Sequence, residues 1–142
     1  LFSCETMEDP EIKNTSTWPL NGEYWVQYDG SSEVSGYHKI IITNTAADDG
    51  KSILINDQGY DFVIRSNADM ESITFDVADY QVNDTTSVSI TNGQLMVDGT
   101  QTPASNVETD SLYMEMEVVT PSSTEQVTIS GYKYTGWPED NH

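Results

Sequence analysis

From Trp18 onward, apolar and polar residues alternate in short runs, each ended by a glycine, asparagine or aspartate. Ile73, Phe75 and Val77 point one way along such a run, while Thr74 and Asp76 point the other. Leu112, Met114, Met116 and Val118 oppose Tyr113, Glu115 and Glu117, and Val127 and Ile129 oppose Thr128 and Ser130. A period of two belongs to a strand with one apolar and one wet face. Runs rich in Val, Ile, Thr, Tyr and Phe predict strands near 22–29, 36–43, 51–55, 60–66, 72–77, 86–91, 94–98, 111–119 and 125–135. Between them lie Asp29-Gly30, Asp49-Gly50, Asn56-Asp57-Gln58-Gly59 and Asn92-Gly93, pairs that tolerate the positive φ of tight hairpins. No stretch of ten or more residues carries a helical period, and residues 78–84 could form one turn at most.

The predicted fold is therefore all-β. Strands with one apolar face, joined by short hairpins, make an antiparallel sheet around a single core. About eight or nine such strands leave two edges, which either a sandwich or a closed barrel would manage. Because hairpins dominate, an up-and-down meander closing into a lipocalin-like barrel is expected. The one long connection, residues 99–110, reads as a polar loop at the barrel mouth. The chain divides into a polar tether, residues 1–17, and a single barrel domain, residues 18–142.

The tether contains the only cysteine. Leu1-Phe2-Ser3-Cys4 has the form of a lipobox, the end of a bacterial signal segment cut before a cysteine that takes a diacylglyceryl thioether. The chemistry needs a thiolate nucleophile, which only cysteine supplies. The alternative, a small buried apolar side chain, suits poorly a polar run such as Cys4-Glu5-Thr6-Met7-Glu8-Asp9-Pro10. Lipidation of Cys4 predicts a cell-envelope lipoprotein on the outer membrane, facing the periplasm or the surface. Charge agrees with an acyl anchor as the membrane attachment: 24 Asp and Glu against 5 Lys and Arg give −19, which repels anionic lipid and excludes nucleic acid. An acidic surface also favours a dispersed monomer.

Three segments carry a resemblance. They are Asn21-Gly22-Glu23-Tyr24-Trp25-Val26, the stretch Ile42-Thr43-Asn44-Thr45-Ala46-Ala47-Asp48-Asp49-Gly50-Lys51, and Ser130-Gly131-Tyr132-Lys133-Tyr134-Thr135-Gly136-Trp137-Pro138-Glu139-Asp140. With the lipobox, they resemble the small envelope lipoproteins grouped as lipid-binding putative hydrolases, which have a lipocalin-like barrel. Gly22-x-x-Trp25 also faintly resembles the Gly-x-Trp start of lipocalins, one residue out of step. The resemblance implies a Gram-negative envelope protein holding an apolar ligand. It brings no catalytic residue to any position here.

The residues themselves show no catalytic constellation. A hydrolase needs a nucleophile, a base and a group that holds the base. The histidines are His38, expected on the same strand face as Ile40 and Ile42, and His142, the terminal residue and expected to be unordered. No Gly-x-Ser-x-Gly elbow exists. Carboxylate pairs such as Glu115 and Glu117 are too numerous to be specific, and sit on the solvated face. The turn Asn56-Asp57-Gln58-Gly59-Tyr60-Asp61 is only loosely calcium-like, and no His/Cys cluster suits zinc. No cofactor is called for. The aromatics Tyr24, Trp25, Tyr28, Tyr37, Tyr60, Phe62, Tyr132, Tyr134 and Trp137 either fill the barrel or form an outer stacking platform. The expected function is to hold a lipid or other apolar or amphipathic small molecule, with Ile40, Ile42, Phe62, Ile64, Phe75, Met114, Met116, Val127 and Ile129 as the lining. The alternatives are a glycan- or protein-contacting lipoprotein with a filled barrel, and a hydrolase.

Overall fold

The computed structural model describes residues 16–142; the predicted lipidation site Cys4 and most of the predicted tether lie outside them. Eight strands follow in order: β1 (Gly22–Asp29), β2 (His38–Asn44), β3 (Ser52–Asp57), β4 (Phe62–Asp69), β5 (Thr74–Gln81), β6 (Ser87–Gln101), β7 (Glu108–Val119) and β8 (Thr124–Lys133). Each pairs antiparallel with its sequence neighbours, and β8 returns to pair with β1 from Tyr24↔Lys133 to Asp29↔Thr128. The meander thus closes into a barrel, and closure leaves no edge strand open to pairing with another chain. A short 3-10 turn, Pro138–Asp140, follows β8.

The interior is built by the alternation seen in the sequence. Val26 on β1, Ile40 and Ile42 on β2, Ile53 and Ile55 on β3, Ile64 on β4, Ile90 on β6, and Met114 and Met116 on β7 are all buried in one cluster. Trp25 is also buried but faces outward, with the Lys39 ammonium 5.1 Å above its ring and His142 5.1 Å from it.

Two of the predicted strands, 86–91 and 94–98, are one. Asn92-Gly93 makes a bulge inside β6 rather than a hairpin, with Asn92 at φ 53° and the register to β7 shifting between Thr91 and Gln94. Positive φ serves a bulge as well as a turn, and the partners decide which. Here β5 and β7 flank β6 on both sides of the bulge. Gly93 is required by its neighbour: an added Cβ would lie 2.5 Å from the Phe75 ring. The same long strand shortens the predicted 99–110 loop to residues 102–107, since Gln101 still pairs with Glu108. Residues 78–81, predicted as part of a turn, extend β5, with Asp79 at φ 50° in a second irregularity.

At the end where β1 begins, Leu20 is fully buried and accepts a 2.6 Å hydrogen bond from the Tyr24 hydroxyl onto its carbonyl. The turn before it is tied by Leu20 N–H to the Thr17 carbonyl at 3.0 Å. This end is plugged. The other end, where β1 finishes and β2 starts, is covered too: Val34 of the β1–β2 connection is buried in the core cluster, and Tyr60, Phe62, Tyr80 and Val82 pack partly buried against it, as Met70 and Ile73 do at the Leu20 end.

Candidate functional site

The strand alternation brings all nine predicted lining residues to the barrel interior. Ile40, Ile42, Ile64, Phe75, Met114, Met116, Val127 and Ile129 are buried in the core cluster, and Phe62, at the start of β4, is partly buried against it. Their register places them side by side: Met114 lies opposite Ile129, Met116 opposite Val127, and Ile64 opposite Ile55.

One charged residue shares this interior. Asp57 ends β3 on the same face as Ile53 and Ile55, opposite Ile40 on one side and Phe62 on the other. It is 1% exposed. Its Oδ1 accepts hydrogen bonds from the Tyr28 hydroxyl, from Gly59 N–H at 2.9 Å and from Tyr60 N–H at 3.4 Å. Its Oδ2 is buried with no partner. Burial pushes the Asp57 carboxyl above its ordinary value, outweighing the hydrogen bonds that favour its charge. Burial, and then the charge of Asp57, pushes the Tyr28 phenol up as well.

The sequence pattern missed this acid because Asn56-Asp57-Gln58-Gly59 reads as a turn. The available signal was parity: Asp57 lies two and four residues beyond the inward Ile55 and Ile53. The turn prediction itself holds, since Oδ1 caps the two turn N–H groups. Among the described residues, no group of three or more His, Cys, Asp or Glu is placed to hold a metal.

An aromatic row leads from Asp57 to the rim. Tyr28 meets Tyr60 edge-on at 5.8 Å, and Tyr60 stacks on Phe62 at 5.3 Å. His38 faces Tyr28 at 5.9 Å, and its Nε2 lies 3.0 Å from the Ser35 carbonyl. The Tyr60 hydroxyl lies 2.6 Å from Ser31 Oγ and donates to Glu125 Oε1 at 2.7 Å, joining the β3–β4 turn to the β1–β2 loop and to β8. Glu125 also accepts from Ser32 N–H at 2.9 Å and from the Ser32 hydroxyl. The Ser32 hydroxyl first, and Tyr60 next, pull the Glu125 carboxyl down to about 2.

This latch has a testable pH signature. A carboxyl lowered by folding stabilises the fold above its ordinary value of 4.5, and that contribution is lost as pH falls towards about 2. Glu125→Gln should therefore unfold in urea with a shallower loss of stability between pH 5 and 2 than the parent chain. Equal slopes would mean that the latch is not formed in solution.

On the outer face, the C-terminal segment folds back over β1 and β8. His142, predicted to be unordered, stacks on Tyr37 at 3.6 Å and lies 2.6 Å from the Tyr132 hydroxyl. The buried Asp140 accepts from Ala104 N–H at 3.0 Å, Ser105 N–H at 3.1 Å and the Ser105 hydroxyl at 2.6 Å. Burial works against the Asp140 charge, yet these donors more than offset it and hold the carboxyl below its ordinary value. The outer aromatics Trp25, Tyr37 and Tyr132 are thus engaged with His142, while Trp18 and Trp137 stand 56% and 52% exposed. A cleft of about 560 Å³ opens on the outer face at the β6 bulge, walled by Thr74, Asp76, Gln94, Tyr113 and Glu115. Its polar walls bond one another, Tyr113 to Glu115 at 2.8 Å and Asn92 to Glu115 at 3.2 Å.

Among the described residues, neither histidine is hydrogen-bonded to a serine or threonine hydroxyl. Among the same residues, no helix is long and apolar enough to cross a membrane.

The model of a family described as lipid-binding putative hydrolase matches residues 9–138. No curated protein matches the chain.

Proposed function

The chain belongs to the lipid-binding putative hydrolase family, and on that footing we propose that it is an extracytoplasmic binding protein holding a small apolar or amphipathic ligand in its barrel. One observation carries the reading: a closed barrel whose interior is apolar from β1 round to β8 except at Asp57. An apolar tail gains by leaving water for such an interior at about 25 cal/mol per Å². In this reading the ligand enters at the end of Tyr60, Phe62, Tyr80 and Val82, whose side chains are partly buried. The lining is Ile40, Ile42, Phe62, Ile64, Phe75, Met114, Met116, Val127 and Ile129. The two methionines, unbranched and adaptable, accommodate tails of different shape. Cys4 carries the acyl anchor in this reading, which places the barrel at the outer membrane as a monomer. Association through lipid on Cys4 does not depend on surface charge, which suits a chain of −19.

Methyl NMR tests it. Adding a single-chain dodecyl amphiphile below its micelle concentration should shift the methyl signals of Met114, Met116, Ile40 and Ile64. Shifts confined to the surroundings of Trp18 and Trp137 would instead support the second reading, a glycan- or protein-contacting lipoprotein with a filled barrel. That reading is favoured only by the exposure of those two indoles.

A further inference from the structure

Asp57 is out of place in a ligand lining that is otherwise apolar. A buried polar atom without a partner is costly, and such atoms are rare in folded proteins unless something supplies the missing bond. Asp57 Oδ1 is fully used by Tyr28, Gly59 and Tyr60, while Oδ2, equally buried, has nothing. The carboxylate sits between Ile40 and Phe62, among the residues proposed to hold the tail. Its position one step inside the Tyr60 and Phe62 end is where the polar head of a ligand entering there tail-first would come to rest.

The surroundings fix the sign of that head. Glu125 lies at the same rim, hydrogen-bonded to Tyr60. None of the four lysine and arginine side chains among the described residues serves this end. Lys39 faces outward to Glu23 and Trp25, Lys133 pairs with Asp110 at the plugged end, Arg65 reaches Ser52, and Lys51 lies in the β2–β3 connection, also at the plugged end. A carboxylate or phosphate head would therefore meet two acids and no lysine or arginine, with the imidazole of His38, held at the Ser35 carbonyl, near Asp57. A hydroxyl or ammonium head would meet an acceptor that lacks a donor.

We infer that the barrel selects single-chain amphiphiles whose head donates hydrogen bonds, a glyceryl hydroxyl or an ammonium, and that Asp57 Oδ2 is the acceptor that reads it. This rests on the ligand-holding function proposed above and narrows it: an ionised Asp57 disfavours a fatty-acid carboxylate at the place where it accepts from a donor head.

The test is calorimetry on the full chain at pH 7.5 with three twelve-carbon probes below their micelle concentrations: dodecylamine, monododecyl glycerol ether and dodecanoate. The amine and the ether should bind one to one, and dodecanoate at least about tenfold more weakly, the scale of one hydrogen bond to a charged group. The uncharged ether separates donor recognition from simple attraction of an amine to a chain of −19. Asp57→Asn keeps an acceptor for Tyr28 but turns an amide N–H₂ towards the head. It should weaken the ether and the amine about tenfold and narrow the gap to dodecanoate. The ranking on the unaltered chain stands as a test even if that variant folds poorly. Dodecanoate binding within about threefold of the ether, or a ranking untouched by Asp57→Asn in a folded variant, overturns the assignment of Asp57 while leaving the ligand-holding barrel intact. No one-to-one binding by any of the three overturns both.

Discussion

Gly131→Ala is expected to prevent the barrel from closing, with a loss of about 3 kcal/mol or more, beyond the usual range for overfilling a core. Gly131 lies on β8 between Val26 of β1 and Leu112 of β7, at the seam where the last strand meets the first. A Cβ there would stand 1.9 Å from the Trp25 carbonyl oxygen and 2.7 Å from the Val26 Cα. Both are backbone atoms, so no side-chain rotation relieves the clash. The strands must separate, and separation breaks the ladder that abolishes the sheet edges. Chemical denaturation should show the loss, and size exclusion should show association through the β1 and β8 edges so exposed. An alanine variant as stable and monomeric as the parent would mean that the seam is not formed as described.

Ile129→Ala is expected to cost about 2–5 kcal/mol, the range for removing a large aliphatic side chain from a close-filled core. Ile129 is fully buried at mid-barrel, opposite Tyr28 on β1 and Met114 on β7. The truncation also enlarges the space proposed for the ligand tail. The stabilisation given by a saturating dodecyl amphiphile should then exceed that in the parent chain, because the tail fills part of the void. A loss under about 1 kcal/mol would show that the interior does not close around Ile129.

Much of this fold was legible because its governing pattern is local. Alternation at Leu112-Tyr113-Met114-Glu115-Met116 fixes which side chains face inward, and the nine lining residues follow from that rule alone. What the pattern could not decide depended on partners far away in sequence. Asn92-Gly93 is equally suited to a hairpin or a bulge, and only the pairing of β6 with both β5 and β7 selects the bulge. Asp57 is locally a turn residue, and its inward aim depends on Ile40 and Phe62 lying beside it. His142, at the end of the chain, looked free, but it is held by Tyr37, just before β2, and Tyr132 on β8, residues far apart in the sequence. The latch of Ser31, Tyr60 and Glu125 likewise joins two connections and a strand, and no spacing in the sequence announces it.

The most direct measurement is native mass spectrometry of the full protein purified gently from its own envelope. The account predicts a diacylglyceryl mass on Cys4 and a second, dissociable one-to-one adduct of a small amphiphile. The acyl mass without any adduct, on protein that retains its folded charge-state distribution, would contradict the ligand-holding barrel.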